Sequence, residues 1–289
     1  MRNVFAFASA IALSCLDAGA AQAQSIVTYV SGKGVDSGSC TPQSSPCRSF
    51  AYALTQTSAG GEIKALDPDG YGPVTITQAV SLIGVEGAGI NRQSGAHITI
   101  NAGPNDAVNI VKLILDGGGQ AANGIVLNSA GSLTIKNCVV QNFTHNNQLV
   151  GYTGVGIVIY GPTNFLIEDV IVSNNNFDGI NVIPYGSSNT FGVLDRVSIV
   201  NNASGAAISS SGGGQAFVTV VNSVANNNLY EGIYVSGGGN VRLSQSTVAQ
   251  NSGNGVETVS GGVAQSAGNN FVYGNANNIA GTLTNVGMQ

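Results

Sequence analysis

An asparagine returns behind an apolar residue at near-constant spacing through the second half of the chain, and no other feature narrows the fold as much. The pattern apolar-x-x-Asn occurs at Val172…Asn175, Ile199…Asn202, Val224…Asn227, Val248…Asn251 and Val272…Asn275, in steps of 27, 25, 24 and 24 residues. An earlier copy, Val139…Asn142, precedes them by 33. Self-similarity at a period of roughly 20–50 residues marks a repeat architecture. Each unit carries a strand-like run before the motif, at 133–135, 165–167, 192–194, 217–219 and 241–243. After the motif, Gly-Ile or Gly-Val introduces another run at Gly124, Gly156, Gly179, Gly232 and Gly255. Glycine-rich turns at 211–214 and 237–239 close units. Three short strands per unit predict one coil of a parallel β-helix, with equivalent residues stacked about 4.8 Å apart. Asn then suits the turn twice over: it tolerates a left-handed backbone, and its amide can bond the Asn above and below. The expected ladder is Asn142, Asn175, Asn202, Asn227, Asn251 and Asn275. The longer first step predicts an insertion over 143–153.

Composition fits a stacked apolar core. Hydrophobic residues make up 43 % of the 289 and charged residues only 8 %, which argues against disorder. The 41 glycines follow no G-X-Y period, so collagen is excluded. With a net charge of −5 and no two of the nine Lys and Arg adjacent, there is no basic patch for nucleic acid or an anionic membrane. Residues 1–23 read as a secretory signal peptide: Arg2, an apolar run over 4–16, and Ala21-Gln22-Ala23 as cleavage site. The run is short for a bilayer span, and no later stretch is a candidate for membrane insertion. The expected location is secreted or periplasmic. A lipoprotein signal ending at Cys15 is the rival reading.

The segment 24–72 reads as an N-terminal cap and 73–289 as the β-helix. The cap holds a strand over 26–30, a loop in which Cys40 and Cys47 bracket two prolines, and a short helix over 50–57. Ser49 caps that helix and Gly60-Gly61 stops it. In an exported protein Cys40 and Cys47 predict a local disulfide. An amphipathic helix ahead of a repeat array covers the cross-section that the first coil would expose. Val108 to Leu115 reads as one apolar run, and Cys138 as a small packed residue.

The chain resembles the right-handed parallel β-helix proteins of the pectate-lyase-like superfamily. The likeness rests on the apolar-x-x-Asn coils and on an N-terminal part with Thr28-Tyr29-Val30-Ser31-Gly32, Pro46-Cys47-Arg48-Ser49-Phe50, Ala53-Leu54 and Gly60-Gly61-Glu62-Ile63. It implies an all-β, right-handed solenoid with a short N-terminal capping helix. It does not choose among lyases, hydrolases, epimerases and adhesins. The Asn-Thr-Asp, Asp-Asp, Gly-His-Gly and Arg-Ile-Lys motifs of the superfamily's galacturonan hydrolases are missing.

Two carboxylate pairs carry what chemistry the sequence offers. Glu168 and Asp195 share a register one coil apart, so calcium could relieve their repulsion; alternatively Arg196 and Lys136 offset them in a surface ladder. No other cofactor is expected. Asp178 and Glu231 each precede the Gly-Ile of a coil, with Gly205 in the matching place between. Two coils separate them by roughly 9–10 Å, near the span of an inverting acid–base pair. Tyr185, Tyr230 and Tyr234 could stack on sugar faces, and His145 lies in the insertion, where binding residues often sit. The reading that follows is a protein that interacts with a polysaccharide or cell-surface glycan. A polysaccharide lyase or glycoside hydrolase with an atypical site, or a structural or adhesive surface protein, are the alternatives. Oligomerisation through the C-terminal coil stays open.

Overall fold

The computed structural model describes residues 24–91, 94–144 and 152–287. The signal-like stretch and His145 lie outside them. The chain winds as a parallel β-helix whose coils each place one strand in three sheets, here called A, B and C, of eleven, eight and nine strands. A representative coil runs Asn164–Glu168 in sheet A, Ile171–Ser173 in sheet B and Asp178–Val182 in sheet C. Among the described residues no helix is long and apolar enough to cross a membrane.

The register stacks like on like. Ile135, Ile167, Leu194 and Val220 follow one another in sheet A, Val140, Val172, Ile199 and Ala225 in sheet B, and Ile157, Ile180, Ala206 and Ile233 in sheet C. All are buried. Each fully buried aliphatic side chain of this size contributes about 1.5–3 kcal/mol, so the core is a continuous rod along the axis. Where one inward residue is large its neighbour is small: a Cβ on Gly192 would sit 1.9 Å from the ring of Phe165 on the preceding coil.

Two columns of left-handed residues turn the chain. Between sheets A and B, Lys112, Asn137, Asp169, Arg196, Asn222 and Gln245 have φ of 49–56°. Between B and C, Asn142, Asn174, Asn201, Asn227 and Gln250 have φ of 54–62°. The run from Val108 to Leu115 is accordingly not one strand. It breaks at Lys112 into Ala107–Val111 of sheet A and Ile114–Asp116 of sheet B.

The asparagine ladder stands one residue beyond the second turn column. Asn175, Asn202, Asn228, Asn251 and Asn275 point inward, and each of the first four donates both its backbone N–H and its Nδ2 to the Oδ1 of the next. The expectation therefore needs correction at two positions. Asn142 and Asn227 belong to the left-handed column; Asn227 is exposed and Asn228 takes its place in the ladder. In the earlier coil the inward position is Phe143, whose N–H donates to Asn175 Oδ1. The buried amide ladder thus stands one residue on from the left-handed column, whose Asn142 and Asn227 side chains donate nearer the surface to Asp116 Oδ1 and Asn201 Oδ1 of the preceding coils. The glycines of the Gly-Ile motifs follow from the ladder. A Cβ on Gly156, Gly179, Gly232 or Gly255 would lie 2.6–2.9 Å from an Nδ2 of the ladder. There is no room for a side chain beside the inward amides.

At the N-terminal end, Phe50–Gln56 forms the helix, with Ser49 Oγ accepting from the Tyr52 N–H and Phe50, Ala53 and Leu54 buried. Gly60-Gly61 does not stop it. The helix ends at Thr57, and the glycines sit inside the strand Thr57–Ala65, where Gly60 has φ +80° and the pairing register shifts. Cys40 and Cys47 form the predicted disulfide. Cys138 is buried in the stack, and burial pushes its thiol up to about 11.

Candidate functional site

The outer face of sheet C holds a cleft of about 500 Å³. Asp178 lies in it at the start of its strand, paired in register with Ser204 of the next coil. Ser204 Oγ in turn donates to Glu231 Oε2 at 3.1 Å. The residue between the two carboxylates is therefore Ser204, not Gly205, and Asp178, Ser204 and Glu231 form a column over three coils. Strict strand alternation would put residues three apart on opposite faces. The glycine that follows Asp178 breaks the alternation, so Asn181 Nδ2 reaches back to Asp178 Oδ2 at 2.5 Å. Asn254 and Glu257 repeat the contact at 2.7 Å. Tyr234, three residues beyond Glu231, also lines the cleft.

Asp178 is 6 % exposed. Burial pushes its carboxyl up to about 7, and the charge of Glu231 acts in the same direction, against the Asn181 hydrogen bond. A protonatable group near neutrality, with a second carboxylate two coils along in the same cleft, is what acid–base chemistry requires.

Aromatic rings border the cleft. Tyr152 and Phe177 line it with centroids 5.9 Å apart. Tyr160 continues the row from Tyr152 at 6.5 Å, and Tyr185 stacks on Tyr160 at 5.1 Å. Of the three tyrosines singled out in the sequence, Tyr234 is in the cleft, Tyr185 ends this row, and Tyr230 stands exposed on the turn before Glu231. Tyr152, Phe177, Asn181 and Ser204 belong to no repeat motif that the sequence displays. The available signal was the polar residue three positions after each acid ahead of a Gly-Ile motif.

Glu168 and Asp195 pair directly in register on sheet A, remote from the cleft. Arg196 donates to Glu168, to Asp169 at 2.7 Å and to Asp195 at 2.5 Å, and Lys136 reaches Glu168 at 2.8 Å. Hydrogen bonds from Lys136 and Arg196 hold Glu168 below the ordinary carboxylate range, and Arg196 does the same for Asp169. Asn222 donates to the remaining oxygen of Asp195. A calcium ion here would have to displace the arginine.

The fold is similar to that of pectate lyase Pel9A, with a TM-score of 0.52 over 86 % of this chain and 79 % of that one, at 12 % identity. The A-module of Azotobacter vinelandii mannuronan C-5 epimerase AlgE6 covers 80 % of this chain and 92 % of its own at 15 % identity, with a TM-score of 0.38. At 12 % identity the likeness to the pectate lyase speaks to the fold alone. No curated protein matches the sequence. The family model described as "Right handed beta helix region" matches residues 96–277. That span holds the ladder, the glycine column and the cleft, and the chain belongs to the right-handed β-helix family.

Proposed function

We propose that this is an exported protein that binds a polysaccharide or cell-surface glycan along the outer face of sheet C. The observation that carries the reading is the convergence of Asp178, Asn181, Glu231 and Tyr234 in one cleft bordered by aromatic rings. Carboxylates and amides match sugar hydroxyls, tyrosine rings match the apolar faces of pyranoses, and successive coils offer repeated contacts to a repeating polymer. The disulfide suits an oxidising compartment, and N-terminal sequencing of the mature protein would locate any cleavage after residue 23. Affinity electrophoresis against a panel of polysaccharides tests the binding. We expect retardation that Tyr234→Ala weakens about tenfold, equivalent to roughly 1.4 kcal/mol; no retardation by any polymer would refute the reading.

The near-neutral Asp178 supports a second reading, glycoside hydrolysis. One carboxyl would give its proton to the glycosidic oxygen while the other takes a proton from the attacking water. Three coils in register put the two acids roughly 9–10 Å apart along the axis, beside the span of about 6.5–9.5 Å for inverting enzymes. New reducing ends that vanish in both Asp178→Asn and Glu231→Gln would establish it.

A further inference from the structure

Positive charge is segregated from the cleft. Among the described residues, Lys33 and Arg48 lie in the N-terminal segment, Lys64, Lys136 and Arg242 on sheet A, and Lys112 and Arg196 on the turns between sheets A and B. Sheet C carries none. Among the described residues the cleft itself is lined by two carboxylates, Asp178 and Glu231, and by no basic side chain. Glu257 pairs with Tyr234 on the next coil and extends the negative face. One oxygen of Asp178 accepts from Asn181, and no other described residue donates to this carboxyl.

These features select among glycans. A polyuronate would set a carboxylate on every sugar against this face, and a buried like-charge contact with no cation to relieve it opposes binding. A neutral sugar would satisfy the hydroxyl-bonding groups but leave Glu231, and Asp178 wherever it is ionised, without a counter-charge. An ammonium group supplies both a counter-charge and three donors. It can also lie over a tyrosine face, and Tyr152 and Tyr234 both line the cleft. We infer that the cleft accepts an amino-sugar polymer with free ammonium groups, seated between Asp178 and Glu231. The inference rests on the glycan-binding reading above and adds the substrate class to it.

Isothermal titration of the purified full-length protein with a glucosamine oligomer, its N-acetylated counterpart, a neutral glucose oligomer and a galacturonate oligomer tests it. The expected result is at least tenfold tighter binding of the free-amine oligomer than of the other three, since a charge-assisted hydrogen bond exceeds a neutral one by about that factor. Asp178→Asn and Glu231→Gln keep acceptors for Asn181 and Ser204, so the fold is retained, and each should erase most of the preference. Equal binding of the neutral and amino oligomers, or tightest binding of the galacturonate, would overturn the amino-sugar inference and leave glycan binding standing. Binding of none of them, together with no retardation by any polysaccharide, would overturn both.

Discussion

At Asp178 the protonated carboxyl is the stable form up to about pH 7, because the site is buried and Glu231 is near. An unfolded aspartate ionises near 3.9. Between about pH 4 and about pH 7 the folded protein therefore holds a proton that the unfolded chain has released. Stability falls as pH rises through that window, by on the order of 4 kcal/mol at most. Asp67, Asp116, Glu168 and Asp169 have the opposite sign. Their depressed values stabilise the fold above the unfolded range, and that contribution is lost as pH falls through the lower folded values. Asp178→Asn should consequently raise the melting temperature by several degrees at neutral pH and flatten its slope between about pH 4 and about pH 7. An unchanged slope would mean that the carboxyl ionises normally. At Glu168 and Asp195, Arg196 already occupies the space for a cation. Millimolar calcium should raise the melting temperature of Arg196→Gln and leave that of the native protein unmoved; calcium stabilisation of the native protein would place the ion elsewhere.

The turn between sheets B and C shows how much of an element can be read from sequence. The repeat, the three strands per coil and the Gly-Ile motifs were all legible as periodicity. Register was not, at two copies, and the cause is physical. The apolar-x-x-Asn pattern counts from Val139 and Val224 because they are apolar. In the structure Val140 and Ala225 pair with Val172 and Ile199, and Val224 faces outward at 36 % exposure. Counting from the outward valine shifted the ladder to Asn142 and Asn227. The same one-residue uncertainty placed Gly205 where Ser204 stands, because coils differ in length while strand pairing does not. The carboxylate pair of the cleft was legible; the aromatic border was not, since Tyr152 comes from the insertion and its position depends on the fold. Substitution separates the two asparagine columns. Asn228→Ala should cost about 3–5 kcal/mol, because it strands the buried N–H of Asn202 and one of its two Nδ2 hydrogens, the other still reaching Val172 O. Asn227→Gly should be near neutral, since glycine keeps the left-handed turn and only an exposed bond to Asn201 Oδ1 is lost. Chemical denaturation of both variants gives the comparison, and equal losses would contradict the division of roles. Gly179→Ala should be severe despite an ordinary φ, for its Cβ would lie 2.6 Å from Ile199 Cγ2 and 2.9 Å from Asn202 Nδ2.

For the whole molecule, the inward ladder also has a direction. Each of the first four amides donates to the Oδ1 of the next asparagine toward the C-terminal end, while Nδ2 of Asn202, Asn228, Asn251 and Asn275 also donates back to a main-chain oxygen of the preceding coil, so the amide-to-amide bonds run head to tail and polarise one another. A unit removed between two equivalent rungs leaves that polarity intact, whereas a cut between inequivalent points does not. Asn202 and Asn228 are such rungs, 26 residues apart. Excising residues 203–228 should give a folded solenoid one coil shorter, with far-ultraviolet dichroism of the same shape, while removal of half that length should abolish folding. The excision would also discard Ser204 and bring Asp178 and Glu231 onto adjacent coils, about 4.8 Å apart. Spacing between sites on this surface is thus counted in whole coils, and the scaffold can be lengthened or shortened like a ruler without redrawing the marks on either side.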